Sequence, residues 1–327
     1  MTWKIAVVAP RIDRIGGAEQ ILLQDIEALA SRPDVELTVV TTSVAPDVEL
    51  PGHGRVIDVQ PPRAPGLLGT LAWFRAADAA LRRLGPGSFD RIYAPGINGT
   101  LATHVLLHAC FAEQRELHRA ARRARPWNAR CQSRHVRFVA LAAAERHVLA
   151  GPRPAVATVS PRAARIIEQH HGIEARVLPP IIDTRRFSPQ MRAQLRAAGR
   201  AALELTDEDR LVVAVGNAWH SKGFDLLIAA AKNVGRPLRL ALVTTERPTH
   251  LQRMCGPLPE NVTLLPLRPD IEAWYAAADM VALPSRGETL GLPPLEAAAM
   301  GVPVRVSGEA GCAHWLPKSS VVPELSF

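Results

Sequence analysis

The sequence predicts an α/β protein of two doubly wound domains, and three observations carry that prediction. At 327 residues the chain exceeds what one hydrophobic core normally serves, so two domains of about 150 residues are expected. Short β-branched runs alternate with longer Ala/Leu/Arg-rich segments of helical period, the pattern of βαβ units on a parallel sheet. The same alternation then starts afresh near residue 211.

In the first half the predicted strands are KIAVVAP, VELTVVTT, RVIDV, RIYAPG, THVLLH and AVATVS, with helices at 18–30, 68–84, 112–124, 130–149 and 161–171. The stretch VLPPIIDTRRFSP (177–189) interrupts the pattern with two prolines, which sets the expected domains at 1–178 and 179–327. An Arg/Ala-rich helix follows at 191–203. Strands are then expected at LVVAVG, LRLALVTT, VTLLPL, MVALPS and VPVRVS, with helices at 222–234, 270–278 and 293–300. In open α/β sheets ligands sit beyond the carboxyl ends of the strands, so the loops that follow strands are where chemistry is sought.

Composition narrows the function classes. A hydrophobic content of 47% with 21% charged residues describes a globular chain and excludes disorder as the theme. The longest apolar runs are strand-sized, far short of the roughly 20 residues that span a bilayer. The opening MTWKIAVVAP runs straight into Arg11, Asp13 and Arg14, which is not a signal-peptide layout and predicts a cytoplasmic protein. Cys110, Cys131, Cys255 and Cys312 lie far apart without CxxC or CxxH spacing, so reduced core thiols are expected rather than a zinc site or disulfides. The net charge of +8 favours an anionic partner: a nucleic acid, a phosphorylated glycolipid, a membrane surface or a nucleotide.

The segment SRGETLGLPPLEAAAMGVPV (285–304) places Glu288 and Glu296 eight positions apart in an apolar, tightly turned stretch. Pro293 and Pro294 suit the first turn of a helix and Gly301 the left-handed position past its end. A loop feeding a helix N-terminus presents backbone N–H groups and a positive dipole end, here from Thr289, Leu290, Gly291 and Leu292, as a phosphate site. Taken alone, the two acids also read as a dipole complement and a solvated loop residue.

The surrounding residues favour the ligand reading. The segment resembles the E-x7-E signature of the retaining nucleotide-sugar glycosyltransferases of family 4, which have the GT-B fold, and follows that pattern nearly throughout. IDRIGGAEQILLQDIEALA (12–30) resembles the family's glycine-rich loop and first helix, with Gly16 and Gly17 opening the backbone to a donor diphosphate or acceptor. VLPPIIDTRRFSP resembles its interdomain connection, with Asp183 and Phe187 retained. AVGNAWHSKGFDLLIAAA (214–231) resembles the first strand, loop and helix of the nucleotide-binding domain, with Lys222 at the donor-phosphate position. Where the family commonly adds an arginine to this loop, the chain has Asn217 and Ser221. HACFAEQREL (108–117), LPPIIDTRRFS and GCAHWL (311–316) are most similar to the lipopolysaccharide core glucosyltransferase I group.

The resemblance implies two Rossmann-like domains facing a cleft, an acceptor-side one and a shorter donor-side one. The donor-side domain ends about 40 to 50 residues before the size usual for such a domain, as in a truncated copy. It implies a hexose moved with retention from a nucleotide-diphosphate sugar to a glycolipid such as the lipopolysaccharide core. Donor-binding roles then fall on Gly16, Gly17, Lys222, Thr289, Leu290, Gly291, Leu292 and Glu296, with Glu288 and His108 as the catalytic pair. His108 ends a predicted strand, where a His or Asp of this family often meets sugar or acceptor; a histidine satisfied by nearby backbone is the other reading. No metal and no cofactor beyond the donor are expected, and Asp207 and Asp209 in TDEDR read as turn residues.

From Arg115 to Arg137 the chain holds eight arginines and two histidines against Glu116 alone, interleaved with Leu117, Trp127 and Phe138. Arg119, Arg122, Arg123 and Trp127 fit a surface for an anionic membrane or lipid phosphate, worth about 1 kcal/mol per basic residue near such a surface. A solvated helix face and nucleic-acid contact are the alternatives to that reading. The expected location is the inner face of the cytoplasmic membrane, peripherally, with no nucleic acid bound. The competing function is a non-catalytic GT-B-like nucleotide-sugar or glycan binding protein.

Overall fold

A computed structural model describes residues 2–14, 16–50, 54–64, 66–85, 87–123, 129–151, 154–235 and 237–322. The chain divides into two units, Met1–Pro179 and Pro180–Phe327, each built on a parallel sheet.

The N-terminal unit runs β1 (Trp3–Val8), α1 (Gly17–Ala30), β2 (Val35–Thr41), β3 (Arg55–Asp58), α2 (Gly66–Arg83) and β4 (Arg91–Pro95). It continues with β5 (His104–Leu107), α3 (Phe111–Arg123), α4 (Ala129–Ala150), β6 (Ala155–Thr158), α5 (Pro161–His171) and β7 (Arg176–Val177). The strands lie in the order β3-β2-β1-β4-β5-β6-β7, every pair parallel. Alternation along β1 feeds two cores: Val7 packs with Leu22, Leu23 and Ile26 of α1, while Ala6 and Val8 pack with Trp73 and Phe74 of α2. That two-sided burial is what a sheet covered by helices on both faces requires.

The C-terminal unit runs α6 (Pro189–Ala202), β8 (Arg210–Val215), α7 (Trp219–Lys222), α8 (Phe224–Val234), β9 (Leu238–Val243) and α9 (Pro248–Cys255). Then come β10 (Val262–Leu265), α10 (Glu272–Ala277), β11 (Met280–Leu283), α11 (Leu292–Ala299), β12 (Val304–Ser307) and β13 (Val321–Val322). Its order is β10-β9-β8-β11-β12-β13, again parallel. Val212, Ala214, Leu240 and Leu242 bury one face against Phe224, Leu227 and Ile228 of α8. On α6, Arg196 donates to the carbonyls of Ala276, Ala277 and Ala278 at 2.9–3.1 Å, satisfying the C-terminal carbonyls of α10, and pairs with Asp279 at 2.6 Å.

Strand order reverses between β1 and β4 in the first unit and between β8 and β11 in the second. Such reversals open a crevice at the carboxyl edge, because the two crossovers leave in opposite directions.

Candidate functional site

In the C-terminal unit the loops after β8 (216–223) and β11 (284–291) flank the reversal, and side chains fasten one to the other. Ser221 Oγ donates to the Gly287 carbonyl at 3.0 Å, while the Ser221 carbonyl accepts from Ser285 Oγ at 2.9 Å and the Arg286 N–H at 2.8 Å. Arg286 reaches back to the His220 carbonyl at 2.6 Å and to both oxygens of Asp225 at 2.8 and 3.0 Å. Burial pushes the Asp225 carboxyl up, but its bonds to His220 and Arg286 outweigh that and hold it well below the usual carboxylate range. Gly223 lies between the loops at φ 73°, with its Cα turned so closely onto Pro284 that a methyl there would meet the Pro284 carbonyl oxygen.

The two positions where the family's arginine is absent therefore have structural work. Ser221 joins the loops. Asn217 Oδ1 accepts from Thr244 Oγ1, Thr245 N and Thr245 Oγ1 at 2.9–3.0 Å, fixing the β8 loop to the end of β9.

Lys222 is the last residue of the one-turn α7, not the start of the helix expected at 222–234, which begins at Phe224 as α8. Its ammonium pairs with the Glu288 carboxylate, and the two side chains are 19% and 17% exposed. The stem of Lys222 crosses Gly216, where a methyl would stand 3.0 Å from Cε. Glu288 is held through its backbone, donating to the Glu309 carbonyl at 3.1 Å and accepting from Gly311 N at 2.9 Å. A cation and an acid thus stand together at the switch point.

Gly291 precedes α11 in the left-handed region, and Pro293 and Pro294 occupy its first turn. Both prolines lack an N–H, so the donors at this terminus come from Gly291 and Leu292, while the Leu290 N–H before them is directed to Glu288 Oε1 at 3.4 Å. Glu296 lies in the second turn, facing inward at 5% exposure, and Oε2 accepts the Tyr275 hydroxyl at 2.8 Å. Tyr275 stacks near Phe187, with centroids 6.1 Å apart, and the neighbouring Arg186 pairs with Glu272 at 2.6 Å. Burial raises the Glu296 carboxyl to about 7, against lowering by the Tyr275 bond and Arg186.

That shift has a stability consequence with a defined sign. A carboxyl held up in the folded state stabilises it fully below the unfolded value of 4.5, and that stability is lost as pH rises to about 7. Glu296→Gln cannot ionise. Between pH 5 and 8 the wild type is expected to lose about 2 to 3 kcal/mol relative to the variant, read from urea midpoints. Parallel curves for the two proteins contradict the assignment.

In the N-terminal unit Gly16 caps α1 and Gly17 is its first residue, on the loop after β1. The carboxylate of Glu19 lies over Gly16, so an anionic diphosphate approaching there must displace it. His108 follows β5 directly, on the same carboxyl edge of the sheet. Burial lowers its imidazole to about 4, so at neutral pH it is an uncharged ring. Arg119 is exposed on α3, whereas Trp127 and the side chains of Arg122 and Arg123 lie outside the described residues. Asp209 accepts from Thr206 N at 2.8 Å and Thr206 Oγ1 at 3.0 Å, which is the turn chemistry expected of TDEDR.

Sequence reasoning missed three contributors. Tyr275 holds Glu296, Arg286 locks the loops, and Cys312 supports the Glu288 loop through its N–H to the Leu290 carbonyl at 2.6 Å. Arg286 sits inside SRGE and was legible as a charge within a tight loop; Tyr275 carried no signal beyond an aromatic on a short helix.

Comparison with known proteins finds similarity in sequence and in fold. Residues 209–319 match the family described as Glycosyl transferases group 1. D-inositol 3-phosphate glycosyltransferase of Nocardia farcinica is 33% identical over 184 residues, 51% of this chain and 40% of that protein. The enzyme of the same name from Mycolicibacterium gilvum is 35% identical over 161 residues, 46% of this chain and 35% of that protein. The chain thus matches less than half the length of these curated relatives. Among solved structures, WaaG, a glycosyltransferase involved in lipopolysaccharide biosynthesis, superposes with a TM-score of 0.77 at 20% identity, over 98% of this chain and 88% of that one. Anabaena HepE in complex with UDP-glucose gives 0.64 at 20% identity, over 99% and 87%. The fold is that of the GT-B glycosyltransferases, and the similarity to group 1 glycosyl transferases lies within the C-terminal unit.

Proposed function

We propose that the chain is a retaining hexosyltransferase that takes a sugar from a nucleotide-diphosphate donor held on the C-terminal unit and passes it to an anionic glycolipid. The observation that carries the reading is the Lys222–Glu288 pair at the β8/β11 reversal, inside the segment that matches group 1 glycosyl transferases. The pair leaves an ammonium for the diphosphate and a carboxylate for the sugar hydroxyls. Glu296 takes the ribose, and the N–H groups of 289–292 join Lys222 at the phosphates. As the glycosidic bond breaks, negative charge grows on the departing diphosphate, and fixed donors there lower the barrier. The acceptor hydroxyl enters from the same face of the sugar, with His108 as an uncharged contact on the N-terminal unit. No metal takes part.

Peripheral membrane binding at the inner face is the matching proposal for the acceptor. Supporting it, α4 exposes Val136 and Val139 beside Arg137, and Arg119 is exposed on α3. No helix among the described residues is long and apolar enough to cross a membrane.

The test is a thermal-shift panel of UDP-, GDP- and ADP-sugars, followed by transfer to extracted core lipid with the product anomer read by NMR. One nucleotide series is expected to raise Tm, and its sugar to appear on the lipid with unchanged anomeric configuration. A shift without transfer supports the non-catalytic binding protein; no shift with any donor removes both readings.

A further inference from the structure

Away from the proposed donor site, three side chains meet in the interior of the N-terminal unit. Cys110 lies between β5 and α3, Glu145 is on α4, and His171 is the last residue of α5. They are separated by 35 and 26 residues in the chain, so no short motif announces them. Exposure is 1% for Cys110 and 0% for Glu145, and the His171 side chain is 3% exposed.

We propose that Cys110, Glu145 and His171 form a binding site for a divalent ion of the zinc type. Cys110 Sγ is 3.8 Å from Glu145 Oε2 and 3.9 Å from His171 Nε2, and Nε2 is 3.1 Å from Oε2. A point equidistant from the three atoms lies about 2.1 Å from each, the length of Zn–N and Zn–O bonds, and an ion displaced slightly away from sulfur meets the Zn–S length of about 2.3 Å. The three ligand atoms already lie within 4.8 Å of one another.

The donor set selects the ion. A thiolate with an imidazole suits zinc or cobalt, whereas magnesium and calcium require oxygen ligands throughout. Charge also balances, because a divalent cation neutralises one thiolate and one carboxylate in a place where water does not reach. A buried carboxylate without such compensation carries a large desolvation cost. On binding, the Cys110 thiol proton leaves to solvent and sulfur becomes the ligand.

The surroundings already orient the ligands. Glu145 Oε1 accepts the Phe111 N–H at 3.0 Å and Oε2 the Ala112 N–H at 3.2 Å, the kind of outer contacts that fix a ligating carboxylate. His171 is set by the left-handed turn at Gly172 that ends α5. The ion would join the start of α3 to the C-terminal third of α4 and the end of α5. It is a structural site, independent of the transfer chemistry.

The full chain, stripped with a chelator and reloaded with cobalt(II), tests this. One equivalent of cobalt is expected to survive desalting, to give a thiolate-to-cobalt charge-transfer band, and to raise Tm. The Cys110→Ala and His171→Gln variants are expected to lose the band and the Tm rise. Should either variant fail to fold, X-ray absorption on the wild type decides, with one sulfur scatterer expected in the cobalt shell. Cobalt that washes out, a band that persists in Cys110→Ala, or a shell of nitrogen and oxygen alone overturns the site. In those cases the three groups are an internal hydrogen-bonded cluster capping α3.

Discussion

Lys222→Ala is expected to lower kcat/KM for sugar transfer by about 10²- to 10³-fold, the loss seen when one fixed donor is removed from a developing negative charge. The reason for so large an effect lies in what the neighbouring positions do. Asn217 is bound to Thr244 and Thr245, Ser221 to Gly287, and Arg286 to Asp225 and the His220 carbonyl. Each is committed to structure, which leaves Lys222 to meet the diphosphate from this loop. The change also strips Glu288 of its partner and leaves a carboxylate next to an incoming polyanion. A double variant, Lys222→Ala with Glu288→Gln, separates the two contributions. It removes the repulsion, so donor affinity is expected to recover in part while transfer stays low. Full recovery of transfer in the double variant means that Lys222 acts only by restraining Glu288, and the electrostatic role is wrong.

How much of this was legible in the sequence depended on whether the signal was local. Helix α5 was predicted with its observed bounds because Ser160 caps it, Pro161 opens it and Gly172 closes it in the left-handed region. The helix at 191–203 was expected, yet α6 begins two residues earlier, where Ser188 caps and Pro189 opens it. The long strands were read from β-branched runs that the sheets bury on both faces. Two edge strands, β7 and β13, escaped because two residues carry no periodicity. Helix α9 escaped for another reason: Arg247 precedes it with no side-chain cap, so the usual start signal is missing.

The site divides along the same line. The turn that delivers Glu288, the prolines opening α11 and Gly301 closing it were legible because each is dictated by backbone chemistry within a few residues. The Lys222–Glu288 pair was not, since its members are 66 residues apart and only the adjacency of β8 and β11 joins them. Burial of Glu296 against Tyr275 was hidden likewise, because it depends on how α10 and α11 pack.

Gly223→Ala is expected to be the most destabilising single methyl in the C-terminal unit. Two costs combine at this position. A residue with a Cβ at φ 73° pays the left-handed penalty of about 1 kcal/mol. The new methyl then meets the Pro284 carbonyl oxygen, a backbone atom that cannot swing aside as a side-chain tip would. Relieving the clash means moving the 284–288 loop away from the 216–223 loop, which loosens the Ser221 and Arg286 bonds between them. Together these are expected to cost about 3 kcal/mol or more, a fall of roughly 6–12 °C in Tm for a unit of this size. Gly301→Ala is the control: its φ is 72°, but nothing lies within 4 Å of the added methyl, so about 1 kcal/mol is expected. Calorimetric scans of the two variants measure the difference. The variants also differ in function, since only Gly223→Ala separates Lys222 from Glu288; donor-induced thermal shift is expected to fail there and persist in Gly301→Ala. Equal Tm losses, or a normal donor response in Gly223→Ala, would show that the close approach of the two loops is not what assembles the site.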